Sequence, residues 1–285
     1  MTRGIYRFSF KFLSAFVGII LLGSLPGLFN GLSINPAGYI ESVKGMFGTL
    51  FTIGELKYRA GQEEYFLFPH ILEPLQYSLI VLLGALLLAF ILGLFFTFIT
   101  MMLPRKGKKG FKLFAFLFES LPDVFIIALA QIGIIWFYKK TDILLLDVAA
   151  YDKTYALPIL ILAILPTVFF YRIMLLVFEE EMQKQYIDLA KTKGLNRQVI
   201  LMVHVFRNTL IGIFYHSKSI IWFTLSNLFI LEYVFNLRGI VMFIFEHPTP
   251  EIFTISFILL FIPLFILLAL WQLLAEKVSK EEAIV

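Results

Sequence analysis

Apolar residues run almost without interruption through six stretches of this chain, approximately residues 8–29, 75–103, 113–137, 155–178, 208–235 and 253–275. Crossing about 30 Å of hydrocarbon takes roughly 20 helical residues. A spanning segment must also satisfy its own backbone hydrogen bonds, so runs of this kind take the form of helices. The pattern predicts an all-α, polytopic membrane protein with six transmembrane helices in a single transmembrane domain over residues 1–285. The first stretch follows Arg3, Arg7 and Lys11 and so has the outline of a signal peptide. It lacks a small-x-small cleavage site, and the run from Phe12 to Phe29 is long for a signal core, so it is expected to stay as a span.

The polar stretches between the runs set the orientation, because short loops rich in Lys and Arg are held on the cytoplasmic side. In residues 30–74, Glu41, Glu55, Glu63, Glu64 and Glu73 outnumber Lys44, Lys57 and Arg59, and the segment reads as an extracytoplasmic loop. Residues 104–112 carry Arg105, Lys106, Lys108, Lys109 and Lys112 with no acid, and Gly107 and Gly110 are expected to break any helix there. Residues 179–207 carry Lys184, Lys191, Lys193, Arg197 and Arg207 and also read as cytoplasmic, whereas the 139–154 connection balances its charges. Both termini then fall in the cytoplasm, with residues 276–285 as a short charged end.

Composition narrows the classes further. The chain is 60% apolar and 15% charged, against roughly 45–50% and about 25% in soluble domains. It has no cysteine, which removes disulfides, thiolate metal sites and cysteine nucleophiles. No G-x-x-x-x-G-K-[ST] phosphate loop occurs, and His70, His204, His216 and His247 show no H-E-x-x-H or other ligand spacing. No catalytic residue, metal, cofactor or nucleic-acid partner is expected, and an intramembrane protease or acyltransferase has no residue pattern in its favour.

The informative stretch runs from Phe178 to Val199 and is too polar to lie in lipid. Met182, Tyr186, Leu189, Ala190 and Lys193 recur at the spacing of one helix face. Gly194 sits where such a helix must stop, since glycine takes the left-handed conformation without a Cβ clash. Asn196 is placed to cap a second helix running through Val199, His204 and Arg207. Two readings fit: an amphipathic helix in the lipid interface, or a short docking helix shown to a cytosolic partner.

At these residues the sequence resembles the integral membrane subunit of an ATP-binding-cassette importer, and within it the oligopeptide, dipeptide and nickel permease branch. The superfamily signature is E-A-A-x-x-x-G, nine residues, then an apolar I-x-L-P ending; Asp188-Leu189-Ala190-Lys191-Thr192-Lys193-Gly194 fits the first part. The branch reads Y-x-x-x-A-x-x-K-G-L, then V, then H-x-x-R-N, and Tyr186, Ala190, Lys193, Gly194, Leu195, Val199, His204, Arg207 and Asn208 take those places. Ser120-Leu121-Pro122 is similar to its S-I-P, Leu157-Pro158 to its L-P and Glu232-Tyr233-Val234-Phe235 to its E-x-V-F. Gln185 replaces the usual acid before the tyrosine, Gly212 the expected proline, and Leu237-Arg238-Gly239 the usual W-P-G, while Lys218 and Ser226-Asn227 stand where glycines are common.

The resemblance implies a coupling segment over 179–207 in which Tyr186, Asp188, Leu189, Ala190, Lys193, Gly194 and Leu195 meet an ATPase. It also implies a second, similar permease subunit, two cytosolic ATP-binding-cassette ATPases and an extracytoplasmic binding protein, in a bacterial or archaeal inner membrane. A peptide-like solute or a metal complex would be the cargo. Ionisable residues at membrane depth cost roughly 2.5–3.5 kcal/mol and tend to face a bundle interior or water. Among Glu119, Asp123, Gln131, Lys218, Asn227 and Glu232, the candidates for the translocation pathway are Asp123, Asn227 and Glu232; Glu119 is expected near the interface, Lys218 to snorkel, and Arg172 at the cytoplasmic end of the fourth span. The rival from another class is a non-transporting scaffold or intramembrane enzyme with a partner-binding helix.

Overall fold

The computed structural model describes residues 2–145 and 154–282, with side-chain surroundings described for 8–145 and 154–270. The chain order is α1 (Thr2–Gly23), β1 (Phe29–Asn30), β2 (Ser33–Ile34), α2 (Pro36–Phe51), β3 (Lys57–Ala60), β4 (Glu63–Phe66) and a turn, α3 (Leu67–His70). There follow α4 (Leu72–Met102), α5 (Arg105–Glu119), α6 (Asp123–Thr141), α7 (Ala156–Glu181) and α8 (Gln185–Thr192). The short α9 (Arg197–Val199) leads through a π-helical segment, Ile200–Val205, into α10 (Phe206–Val234), and α11 (Ile240–Glu246) and α12 (Pro250–Glu282) complete the chain. Five stretches among the described residues are long and apolar enough to cross a membrane: Leu67–Met102, Asp123–Thr141, Ala156–Glu181, Arg197–Val234 and Pro250–Leu270. The apolar part described for α1 is shorter, Phe8–Gly23. The architecture is therefore all-α and polytopic, with two small antiparallel hairpins in the segment expected to be a loop.

The third span departs from its expected bounds of 113–137. Pro122 has no N–H to continue a helix, and its ring disfavours helical backbone at the residue before it. Pro122 sits at φ −59°, ψ 138°, ends the preceding helix and opens α6. The N–H groups of Phe125 and Ile126 donate to its carbonyl at 3.1 and 3.3 Å, while Ser120 Oγ donates to Phe116 O at 2.7 Å. The loop expected at 104–112 is likewise helical from Arg105 onward. Two glycines cost about 1 kcal/mol each against alanine, yet α5 forms across them and packs on α7 through Lys112–Glu179 at 2.9 Å and Glu119–Arg172.

The described chain divides into two compact units, one of residues up to Leu79 with Leu237–Ala269, the other of Ile80–Asn236 with the segment from Leu270 on. In the first, Ile20, Met46 and Ile258 form a core with Phe16, Ile19, Leu50 and Ile262. The β3–β4 hairpin sets Tyr58 edge-on to Phe243 and His247, with ring centroids 5.3 and 4.7 Å apart. In the second, α4 and α7 run parallel and α10 runs antiparallel to α7. Small residues let these helices approach: a Cβ at Gly93 would lie 2.7 Å from Phe170 Cβ, and one at Gly212 would lie 3.1 Å from Val177 Cγ1. Thr100 Oγ1 and the Tyr171 hydroxyl, 3.1 Å apart, tie the same α4–α7 seam.

Candidate functional site

The segment between α7 and α10 is built from three local decisions. At Met182 the chain leaves α7 and turns, with Lys184 N–H donating to Glu181 O at 3.1 Å, so the helix expected to run on from Met182 starts afresh at Gln185. α8 then stops at Gly194, whose φ of +78° lies in the left-handed region. Leu195 N–H donates to Ala190 O at 3.2 Å and Gly194 N–H to Lys191 O at 2.9 Å. That pair of reversed bonds is a Schellman ending, which satisfies two otherwise orphaned carbonyls. Finally Asn196 Oδ1 accepts from Val199 N–H at 2.9 Å and caps α9, as its position in the sequence predicts.

The buried face of α8 differs from the expected one. The fresh start rotates the face that packs against the chain onto Ile187 and Ala190, both buried, with Tyr186 half-buried. Leu189 is 62% exposed, and Asp188, Lys193, Gly194 and Leu195 are exposed as well. Leu195 and Val199 extend this outward apolar surface, and Met202 and Val203 follow them within the π-helical segment. Asp188 pairs with Lys191 Nζ at 2.8 Å on the outer face. Ala190 is thus a packing residue of this chain, whereas Leu189, Leu195 and Val199 are what a partner could reach.

One polar network was not legible as a site in the sequence. The Tyr186 hydroxyl donates to Glu181 Oε1 at 2.6 Å and accepts from Asn208 Nδ2 at 3.0 Å. Glu181 is buried, and its other oxygen meets Lys184 Nζ at 2.8 Å. The end of α7, the start of α8 and the start of α10 are therefore bound to one hydroxyl. Beneath it, Phe178 is fully buried and stands edge-on to Phe98 of α4 at 5.6 Å. The turn at 182–184 brings Tyr186 back over Glu181; a continuous helix would have placed them apart.

The polar residues within the spans are placed unequally. Asp123 is the first residue of α6, partly exposed, and accepts from Val124 N–H at 2.9 Å; with the third span displaced it is no longer mid-span. Asn227 is buried in α10, donates to Phe223 O at 3.1 Å, and leaves its Oδ1 without a hydrogen bond. Glu232 is fully buried near the end of α10. Gln131 Nε2 donates to Val234 O at 2.9 Å and ties α6 to that end. Glu119 pairs with Arg172, and Lys218 is exposed. Asp123 thus bonds within the first turn of α6 and Asn227 within α10, 104 positions further along the chain.

Fold and site together define a multi-span membrane protein with a short, partly exposed helix, α8, between two of its spans. The chain belongs to the family described as binding-protein-dependent transport system inner membrane component, which its sequence matches over residues 85–279; these are inner-membrane permeases of ATP-binding-cassette importers. It is similar to the metal-staphylopine import system permease protein CntB of Staphylococcus aureus strain NCTC 8325, at 25% identity over 224 residues, covering 75% of this chain and 66% of the relative. The protein of the same description from strain Mu50 matches with the same identity and coverage. The matched stretch thus spans just under two thirds of these relatives' own length.

Proposed function

We propose that this chain forms, with a second permease, the inward pathway of an ATP-binding-cassette importer driven by two cytosolic ATPases and fed by an extracytoplasmic binding protein. The observation that carries this reading is the α8–Gly194–α9 unit, a short helix with a defined stop and an exposed apolar edge at Leu189, Leu195 and Val199. It is anchored to α7 and α10 by the Tyr186 hydroxyl, so that force applied at the docking helix passes into two spans. On this reading residues 104–112 and 179–207 face the cytoplasm with both termini, and residues 30–74 lie outside. The chain is a transport subunit, and ATP is hydrolysed by its partners.

The cargo is a peptide-like solute or a metal complex. The branch motifs around Tyr186 and His204 support the first, and the relatives named for metal-staphylopine import support the second. Asn227, with a buried acceptor left open, and Glu232 are pathway residues in α10, and Asp123 stands at the entrance to α6. The test is purification of the gently solubilised chain, followed by uptake into vesicles with labelled oligopeptides competing against metal chelates. Recovery of an ATPase and a second permease, with hydrolysis stimulated by a binding protein, is expected. A lone monodisperse chain with no such partners would return the scaffold reading.

A further inference from the structure

The cationic start of α5 and the apolar remainder of that helix share one outward face. Arg105, Lys106, Lys108, Lys109 and Lys112 lie within residues 105–112, with no acid among them. One side of α5 is occupied, because Lys112 meets Glu179 at 2.9 Å and Glu119 meets Arg172, both on α7. At 100° per residue, Lys106, Lys109, Leu113, Phe116 and Leu117 fall on a stripe about a quarter turn round the helix from that side. Lys106 and Lys109 are exposed, and Leu113, Phe116 and Leu117 are each more than half exposed.

We propose that this stripe binds an anionic phospholipid, with Lys106 and Lys109 holding the headgroup phosphate, Lys108 adding charge from the flank that meets Met101 of α4, and the apolar side chains lying along the acyl chains. At about 1.5 Å per residue, Lys109 and Leu117 are about 12 Å apart along the axis, a reach that suits a headgroup and the first part of its chains. Basic pockets beside spans on the cytoplasmic side suit such headgroups. The cations are also crowded. Partial burial, then Arg197 of the docking segment, and Lys112 hold the Lys108 ammonium below its ordinary range, while Glu179 opposes the shift. Five cations within eight residues, with no acid among them, suit an anion. An acidic protein surface would answer the lysines but leave Leu113, Phe116 and Leu117 facing water, whereas a phospholipid answers both.

The leaflet concerned rests on the orientation proposed above; the binding itself does not, because it is read on the purified chain without transport. The full chain, with whatever partners it brings, is equilibrated with equal phosphatidylglycerol and phosphatidylcholine, and retained lipid is counted by native mass spectrometry. A lysine near an anionic lipid surface contributes about 1 kcal/mol, or about fivefold. Wild type is expected to retain phosphatidylglycerol about tenfold or more over phosphatidylcholine, and Lys106→Gln/Lys108→Gln/Lys109→Gln to fall close to parity. The corresponding triple arginine variant restores the preference, and Lys139→Gln/Lys140→Gln, a loss of two charges at the end of α6, keeps it. Equal preference in wild type and the glutamine triple variant overturns the proposal, as does an equal loss in the α6 variant. A triple variant that keeps its lipid preference but brings down less ATPase assigns the lysines to a protein partner instead.

Discussion

Replacing Tyr186 with phenylalanine removes one oxygen and keeps the ring, which isolates the hydrogen-bonded clamp from packing. That oxygen donates to the Glu181 carboxylate at 2.6 Å and accepts from Asn208 at 3.0 Å. A hydrogen bond to a charged group contributes about 1.5–3 kcal/mol and a neutral one about 0.5–1.5 kcal/mol. Lys184 still pairs with Glu181 in the variant, and Tyr186 is only half-buried, so the lower end applies. About 2 kcal/mol lost from the clamped state raises the population of a released α8 about 30-fold. Hydrogen exchange of amides in residues 185–196 should therefore speed up by about that factor, while exchange in the body of α10 stays unchanged. In the assembled importer, hydrolysis should continue but respond less to the binding protein. A cycle with Asn208→Ala should be strongly non-additive, because both changes break the same network. Unchanged exchange together with additive effects would refute the clamp and leave Tyr186 as a packing residue.

Gly194→Val should weaken the docking segment by about 1–2 kcal/mol through left-handed strain alone, since the site has open space for a side chain; loss of ATPase pull-down with normal membrane insertion is the measurement. Ala190→Asp, by contrast, puts a charge into the chain's own packing, so lower thermal stability of the isolated permease should accompany any loss of coupling. Gly93→Leu drives a side chain into Phe170 and the Tyr171 backbone and should cost about 1–3 kcal/mol or more, seen as a lower Tm. Asp123→Ala and Glu232→Gln should reduce uptake at normal expression, and unchanged uptake in both would remove these acids from the pathway. Because the chain has no cysteine, a single one at Ser42 should react with an impermeant maleimide from outside, and one at Lys108 or Gln198 only after the membrane is opened; Asp147, a further outward position on the same scheme, lies outside the described residues.

The spans, the helix stop and the cap were legible in the sequence because each rests on forces that act within a few residues. An apolar run of twenty residues has one low-energy form in hydrocarbon, Gly194 alone in its segment takes φ of +78° without strain, and Asn196 reaches the N–H three residues on. What the tertiary structure decided are the features that depend on partners distant in the chain. The apolar pattern carried the third span from 113 to 137 through Pro122, whereas the structure breaks there and sets apart α5, whose Lys112 and Glu119 meet Glu179 and Arg172 on α7. Periodicity placed Leu189 on the same face as Tyr186 and Ala190. The turn at 182–184 changed the phase of the helix, turned Ile187 and Ala190 inward, and left Leu189 for a partner. The Glu181–Tyr186–Asn208 network spans 27 positions, 181 to 208, and exists only because α7 and α10 lie side by side, at the close approach that Gly212 permits. Local sequence determines a stop such as Gly194 and a cap such as Asn196; which face of a helix is buried is set by the chain that packs against it.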